Sequence, residues 1–250
     1  MRRLTAIFLA MASQAQASGI LSDNLRITSE SLGYDLQYRV YLPEGHDELV
    51  ALPVIYVTDG PSYIGEGRMP RVLDREIASG RIRPVIAVFV DARDPDDPDT
   101  NRRNQQFVCN RDYLRFFSEE LVPTIERRYH SAADRDSRVI LGVSFGGLNA
   151  ACFGLMGFET FGGIGMHSPA VHPVPGLLPA YEQVDRLPIR VFLSTGDMYD
   201  NTAANRQFRR ILEDKGYDLH FREVAGRHNW DNWRPLIDDA LRFFFESPER

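Results

Sequence analysis

The segment Val139-Ile140-Leu141-Gly142-Val143-Ser144-Phe145-Gly146 decides how this chain is expected to fold. A short apolar run precedes a G-x-S-x-G motif, and a helix-like stretch begins at Gly147. A strand, a sharp turn and a helix in that order present a serine hydroxyl at the carboxyl edge of a parallel sheet. Glycine two residues before and two residues after Ser144 removes side chains that would collide with the strained turn. We therefore predict that Ser144 is a nucleophile.

Other apolar runs alternate with helix-like segments along the chain. Residues 24–42 have the alternating pattern of two antiparallel strands. Further predicted strands lie at 53–57, 85–90, 139–144, 163–167, 189–193 and 219–224. Predicted helices lie at 69–78, 113–125, 147–153, 203–215 and 232–245, and predicted loops at 91–110 and 168–187. This order predicts an α/β fold in one domain, with a mostly parallel sheet, helices on both faces and antiparallel strands at its start.

The first 17 residues differ in composition from the rest of the chain. Met1-Arg2-Arg3 is a short positive region, residues 4–11 are a compact apolar run, and Ala15-Gln16-Ala17 has the small-x-small form of a cleavage site. This pattern predicts a signal peptide at residues 1–17, cleaved near Ala17, followed by the α/β domain at 18–250. The alternative is a buried N-terminal helix. Because the run is too short to span a bilayer, we expect a periplasmic or secreted mature protein without a membrane span.

Composition and charge narrow the expected partners. The 250 residues are 43% hydrophobic and 26% charged, which is typical of a soluble globular protein. The formal net charge is −6, and removal of Arg2 and Arg3 would make it −8. A negative chain is a poor nucleic-acid binder, so no nucleic-acid partner is expected. No cluster of His, Cys and Asp has the spacing of metal ligands, so no metal or cofactor is expected.

The chain contains two cysteines, Cys109 and Cys152. In an oxidising compartment they can form one disulfide, and the alternative is two buried free thiols. Cys109 precedes one predicted helix and Cys152 lies on the helix that follows Ser144. These two helices could be neighbours, and the sequence leaves both alternatives open.

A serine nucleophile needs a base, and the base needs a carboxylate that orients it. In the predicted fold the acid and then the histidine follow the serine, on loops after late strands. His228 comes directly after the last predicted strand and is the predicted base. Asp197 is the first acid after the preceding strand and is the predicted partner of His228. Asp200 is the alternative acid, but it stands where it could cap the next helix.

The oxyanion that develops during ester cleavage needs two backbone N–H donors. The Phe145 amide, directly after the nucleophile, is one predicted donor. The second is expected from the turn after the strand at 53–57, which reads Asp59-Gly60-Pro61-Ser62. Proline has no N–H, so Gly60 or Ser62 must supply it, and Gly60 is the predicted donor.

Taken together, these motifs resemble the α/β-hydrolase putative esterase family, which includes enterochelin-type trilactone esterases, feruloyl esterases, esterase D and the mycolyltransferases. Pro61 is a departure, because the family often places its second oxyanion donor there. The resemblance covers about residues 35–246. The matching stretches are Val54-Ile55-Tyr56-Val57-Thr58-Asp59-Gly60, Glu120-Leu121-Val122-Pro123, Tyr129, Leu141 to Leu148, Ser168-Pro169, Gly196-Asp197, Gly226-Arg227-His228-Asn229-Trp230 and Trp233.

Carried onto this sequence, the resemblance implies that Ser144 is the nucleophile, Asp197 the acid and His228 the base. It also implies that the loop carrying Arg103 faces the site. The guanidinium of Arg103 is predicted to bind a carboxylate or phenolate of the substrate, and the alternative is a solvated loop arginine. Trp230, two residues beyond the base, is predicted to border the acyl or alcohol pocket, and the alternative is a core aromatic of the last helix.

We expect from these residues an extracytoplasmic serine hydrolase that cleaves small-molecule carboxylic esters through an acyl-enzyme on Ser144. One alternative is an acyltransferase, in which an alcohol replaces water at the same site. A second alternative is a non-catalytic binding protein built on a hydrolase scaffold. The natural ester and the oligomeric state cannot be predicted from the sequence.

Overall fold

A mixed sheet runs through the part of the chain that the structure, a computed structural model, describes: residues 18–247. The predicted signal peptide lies outside these residues. The strands of this part are β1 (Ile20–Leu21), β2 (Leu25–Ser29), β3 (Tyr34–Leu42), β4 (Val54–Val57), β5 (Ile86–Asp91), β6 (Arg138–Val143), β7 (Gly163–His167), β8 (Arg190–Gly196) and β9 (Asp218–Val224). Its helices are α1 (Gly60–Gly65), α2 (Met69–Ala78), α3 (Arg103–Gln106), α4 (Arg111–Arg115), α5 (Val122–Tyr129), α6 (Phe145–Met156), α7 (Leu177–Gln183), α8 (Thr202–Asp214), α9 (Trp230–Trp233) and α10 (Ile237–Phe245).

The sheet changes from antiparallel to parallel along its width. Its strand order is β1-β3-β5-β4-β6-β7-β8-β9, with β2 paired to β3. β3 pairs antiparallel with β1, β2 and β5, and every pair from β5 to β9 is parallel. The predicted fold class, a mostly parallel sheet with antiparallel strands at its start, is confirmed. None of the described helices combines the length and the apolarity needed to cross a membrane.

Helices cover both faces of the sheet, which explains why the central strands are apolar at successive positions. On one face Tyr56 and Ile140 pack in a core that α5, α6, α7 and α8 complete. On the other face Ile55 and Leu141 pack against α2 and α10. Because side chains alternate between the faces of a strand, the parallel strands β4, β5, β6 and β8 each contribute to both cores.

Several elements differ from the sequence-based prediction. The predicted loop at 168–187 contains α7, whose third residue, Pro179, loses no intrahelical hydrogen bond because first-turn N–H groups have no partner there. The predicted loop at 91–110 contains the short helix α3. A π-helical segment, Phe116–Leu121, precedes the proline in α5, and Pro235 interrupts the predicted C-terminal helix with a 3-10 turn.

Cys109 and Cys152 form a disulfide across 43 residues of sequence. Cys152 lies on α6, directly downstream of Ser144, and Cys109 ends the loop that follows β5. The bond therefore ties that loop to the helix that carries the predicted nucleophile at its start.

Candidate active site

Ser144 lies on a sharp turn between β6 and α6. Its backbone angles are φ 55° and ψ −115°, which few non-glycine residues adopt, and strain of this kind concentrates at functional sites. A Cβ atom on Gly142 would lie 2.2 Å from the carbonyl carbon of Gly146, so this position requires glycine. A Cβ on Gly146 would lie 2.7 Å from Thr58 Oγ1. The two glycines of the motif therefore allow the close approach that the turn needs.

The His228 imidazole connects Ser144 to a buried carboxylate. His228 Nε2 lies 2.9 Å from Ser144 Oγ, and His228 Nδ1 lies 2.7 Å from Asp200 Oδ1. His228 lies in the loop between β9 and α9, and Asn229 closes this loop by capping the N-terminus of α9 with its side chain. The ring packs edge-on against Trp233, with 4.9 Å between the ring centroids. The structure thus brings Ser144 and His228 together, as the sequence analysis expected.

Asp200 is buried and accepts hydrogen bonds on both carboxylate oxygens. Its side chain is 0% exposed, whereas the imidazole of His228 is 31% exposed. Burial raises the pKa of Asp200, but hydrogen bonds outweigh this effect and lower it to about 2, so the group stays ionised at neutral pH. Besides His228, the donors are the hydroxyls of Ser168 and Thr195, the amides of Gly196 and Asn201, and the Asn232 side chain.

Asp197, the predicted partner of His228, does not contact the imidazole, and that prediction is wrong. The pairing of β8 with β9 continues one residue past Gly196, since the Asp197 N–H donates to Val224 O at 3.0 Å. The exposed Asp197 carboxylate then accepts the Gly226 N–H at 3.1 Å. A left-handed residue, Tyr199 with φ 51°, turns the chain, and Asp200 beyond it reaches the imidazole.

Two residues that sequence analysis did not assign to the site support the carboxylate. The Ser168 hydroxyl donates to Asp200 Oδ2 at 2.6 Å, and Trp233 Nε1 donates to Ser168 Oγ at 2.9 Å. Ser168 directly follows β7 at the carboxyl edge of the sheet, and this position after a predicted strand is the sequence feature that could have indicated its role. Trp233 gives no such signal, because its role depends on the packing of α9.

The two predicted oxyanion donors lie on neighbouring turns. Phe145 is the first residue of α6, so its N–H has no intrahelical acceptor. In the first turn of α1 the amides of Ser62 and Tyr63 both donate to Asp59 O, and Pro61 has no N–H. The Gly60 N–H has no protein acceptor within residues 18–247. Among the two candidates for the second donor, Gly60 is therefore the one with a free N–H.

The two predicted substrate-binding residues make contacts within the protein. Arg103 donates two hydrogen bonds to Asp59, at 2.6 and 2.7 Å, and its side chain is 25% exposed. Trp230 is half-buried and packs edge-on against Tyr63 and Trp233, at centroid distances of 5.1 and 5.5 Å. Among the described residues no group of three or more His, Cys, Asp and Glu could hold a metal ion.

A serine on a sharp strand-to-helix turn, with a histidine and a carboxylate on later loops of a mostly parallel sheet, defines an α/β-hydrolase. The model of the family described as Putative esterase matches residues 29–191. The chain belongs to this family, and we class it with the carboxylic ester hydrolases.

Three similar proteins illustrate the relationship. The chain is 29% identical over 230 residues to the Uncharacterized protein YjcH of Bacillus subtilis (strain 168), covering 86% of this chain and 93% of that protein. It is 26% identical to the Iron(III) enterobactin esterase of Dickeya dadantii (strain 3937), covering 88% of this chain and 54% of the relative. A solved ferulic acid esterase superposes with a TM-score of 0.76 at 22% identity, covering 92% of this chain and 99% of the other. This chain thus spans about half of the enterobactin esterase and nearly all of the other two.

Proposed function

We propose that this protein hydrolyses carboxylic esters through an acyl-enzyme on Ser144, with His228 as the base and Asp200 as the acid that orients it. The observation that carries the proposal is the continuous hydrogen-bonded chain Asp200–His228–Ser144, with separations of 2.7 and 2.9 Å. A binding protein on a hydrolase scaffold has no need of a strained serine aligned with an imidazole and an ionised, buried carboxylate.

In the first half of the reaction, Ser144 Oγ attacks the ester carbonyl while His228 Nε2 takes the hydroxyl proton. A tetrahedral intermediate forms, and its collapse breaks the bond to the alcohol oxygen, which leaves with the proton returned by His228. In the second half, His228 takes a proton from water, the resulting oxygen attacks the acyl-enzyme, and Ser144 leaves with that proton. Asp200 holds the Nδ1–H tautomer and stabilises the imidazolium without taking the proton.

Backbone amides of Phe145 and Gly60 are the proposed donors to the oxyanion. Phe145 opens α6, whose N-terminal dipole favours negative charge. Gly60 is supported as the second donor because Pro61 lacks an N–H and the amides of Ser62 and Tyr63 are engaged by Asp59 O. Two preorganised N–H groups of this kind stabilise the intermediate more than they stabilise the planar ester.

We propose small-molecule esters outside the cytoplasm as the substrates. Relatives named for enterobactin and ferulic acid indicate the esters that should be tested first. Trp230 is the proposed aromatic wall of the substrate cleft, since it is half-buried two residues beyond His228. The Cys109–Cys152 disulfide and the signal-peptide pattern of residues 1–17 support an oxidising compartment.

The test measures hydrolysis of p-nitrophenyl acetate, ferulate esters and a catecholate trilactone by the mature chain. Ser144→Ala should lower turnover of every cleaved ester by about 10³-fold or more, because the bond-forming oxygen is lost. Ser118→Ala is the control, since its hydroxyl donates to the Leu114 carbonyl rather than to the imidazole. Activity of Ser144→Ala equal to that of Ser118→Ala would refute the proposal.

A further inference from the structure

The segment between β5 and α4 contacts the turn at Asp59 and Gly60, which we call the oxyanion turn. Arg103 Nε and one terminal nitrogen of Arg103 donate to the two oxygens of Asp59, at 2.6 and 2.7 Å. The same terminal nitrogen lies 3.3 Å from the carbonyl oxygen of Val143, the residue before the nucleophile. One guanidinium therefore links the turn that carries Gly60 to the turn that carries Ser144.

Asp59 directly precedes Gly60, the proposed second oxyanion donor. Its backbone is left-handed, with φ 57° and ψ 35°. Few non-glycine residues adopt such a conformation, and it persists only where its surroundings enforce it. Asp59 Oδ2 also lies 3.0 Å from the position that a Cβ on Gly146 would occupy, so the carboxylate contacts the first turn of α6.

Arg103 is itself held from several sides. Its guanidinium carbon lies 5.3 Å from the ring centroids of both Phe107 and Phe145. Six residues further along the chain, Cys109 is bonded to Cys152 on α6. The loop is thus fixed to the nucleophile helix at one end and to the oxyanion turn at Arg103.

We propose that Arg103 is a positioning residue, which acts through Asp59 to hold the Gly60 N–H towards the ester carbonyl. This inference rests on the proposed function and replaces the expectation that Arg103 binds the substrate directly. The guanidinium of Arg103 already has a carboxylate partner in Asp59. Its planar arrangement of N–H donors matches the two carboxylate oxygens better than the ammonium group of a lysine could. Loss of the pair would free Asp59 to leave its strained conformation, and Gly60 would move with it.

The experiment uses a neutral ester, p-nitrophenyl acetate, and the mature full-length chain. Arg103→Gln and Asp59→Asn should each lower kcat by about 10²-fold, the loss expected for a misplaced oxyanion donor, with KM changed by less than about threefold. Because both variants break one pair, the double variant should lose little more than either single variant. Arg103→Lys keeps the charge, and its kcat should fall between those of the wild type and Arg103→Gln.

A trifluoromethyl ketone provides a second measurement, because its adduct with the serine places an oxyanion in the proposed hole. Its inhibition constant should rise in parallel with the loss of kcat/KM, a correlation that a merely destabilised fold does not produce. Arg102→Gln is the matched control, since the neighbouring Arg102 pairs with Asp94 at 2.7 Å and lies 4.4 Å from the Tyr34 ring centroid. Its kcat and inhibition constant should equal those of the wild type.

Direct substrate binding by Arg103 would give a different pattern and would overturn the inference. Arg103→Gln would then raise KM for a carboxylate-bearing ester, leave the neutral ester unaffected, and show no coupling with Asp59→Asn. A failure of the proposed function is distinguishable, because the wild-type protein would then cleave no ester and the ketone would not inhibit it.

Discussion

Replacement of Asp200 by asparagine should abolish most of the activity without preventing folding. Asp200 Oδ1 accepts from His228 Nδ1 at 2.7 Å, and Oδ2 accepts from Ser168, Gly196 and Asn232. An asparagine has one acceptor oxygen, so its amide N–H₂ must face either His228 or a cluster of donors. If it faces the imidazole, Nδ1 becomes the acceptor and the proton moves to Nε2, which can then no longer take the proton of Ser144.

The size of the expected loss of activity follows from two changes, the loss of the negative charge and the change of imidazole tautomer. A pKa of about 2 in place of an ordinary 3.8 corresponds to about 2 kcal/mol of differential stabilisation of the ionised carboxylate by its surroundings. Loss of the charge that stabilises the imidazolium, together with the wrong tautomer, lowers kcat in serine hydrolases by about 10⁴-fold. We expect a loss of at least about 10³-fold for Asp200→Asn.

The assay is the initial rate of p-nitrophenyl acetate hydrolysis at neutral pH, with the fold of each variant checked by its melting temperature. Asp197→Asn is the matched control, because it removes an exposed carboxylate three residues away whose acceptor oxygen the amide can replace. Its rate should stay within about threefold of the wild type. A larger loss for Asp197→Asn than for Asp200→Asn would refute the assignment of the acid.

Three further predictions concern the scaffold. Burial alone would raise the pKa of Glu76, but hydrogen bonds from three arginines lower it to about 2. The ionised carboxylate should therefore contribute about 3 kcal/mol to the free energy of unfolding above pH 4.5, and this contribution should be lost as the pH falls from 4.5 towards 2. Acid unfolding of Glu76→Gln should lack this component. Removal of the Cys109–Cys152 disulfide by serine substitution should lower the free energy of unfolding by up to about 4 kcal/mol, measured by urea denaturation, because the bond closes a long loop. Gly142→Ala should yield an unfolded or inactive protein in activity and circular dichroism assays, because its Cβ would lie 2.2 Å from backbone; wild-type behaviour would contradict the close approach.

The sequence predicts those features that depend on local pattern. Val139 to Leu141 and the glycines around Ser144 specify a strand and a turn by themselves, and His228 follows a strand that its apolar pattern identifies. Parallel strands end at one edge of the sheet, so the contact between these two distant residues follows from the fold class.

The features that the sequence did not predict depend on the course of the backbone after an element ends. Asp197 and Asp200 both follow β8, and the choice between them is made by one extra ladder bond and by the left-handed turn at Tyr199. Likewise the ion pair between Arg103 and Asp59 joins residues 44 positions apart through a loop with no periodic pattern. No local rule of sequence fixes such contacts.

The most direct test of the central claim is the identity of the covalently modified residue. Wild-type protein should be mixed with p-nitrophenyl acetate, quenched in acid during the first turnovers, digested and analysed by mass spectrometry. We predict a burst of p-nitrophenol and an acetyl group on the peptide that contains Ser144, and we predict neither in His228→Ala. Acetylation of a residue other than Ser144 would contradict the account. Hydrolysis of the ester by the wild-type protein with no acetyl group on Ser144 would also contradict it.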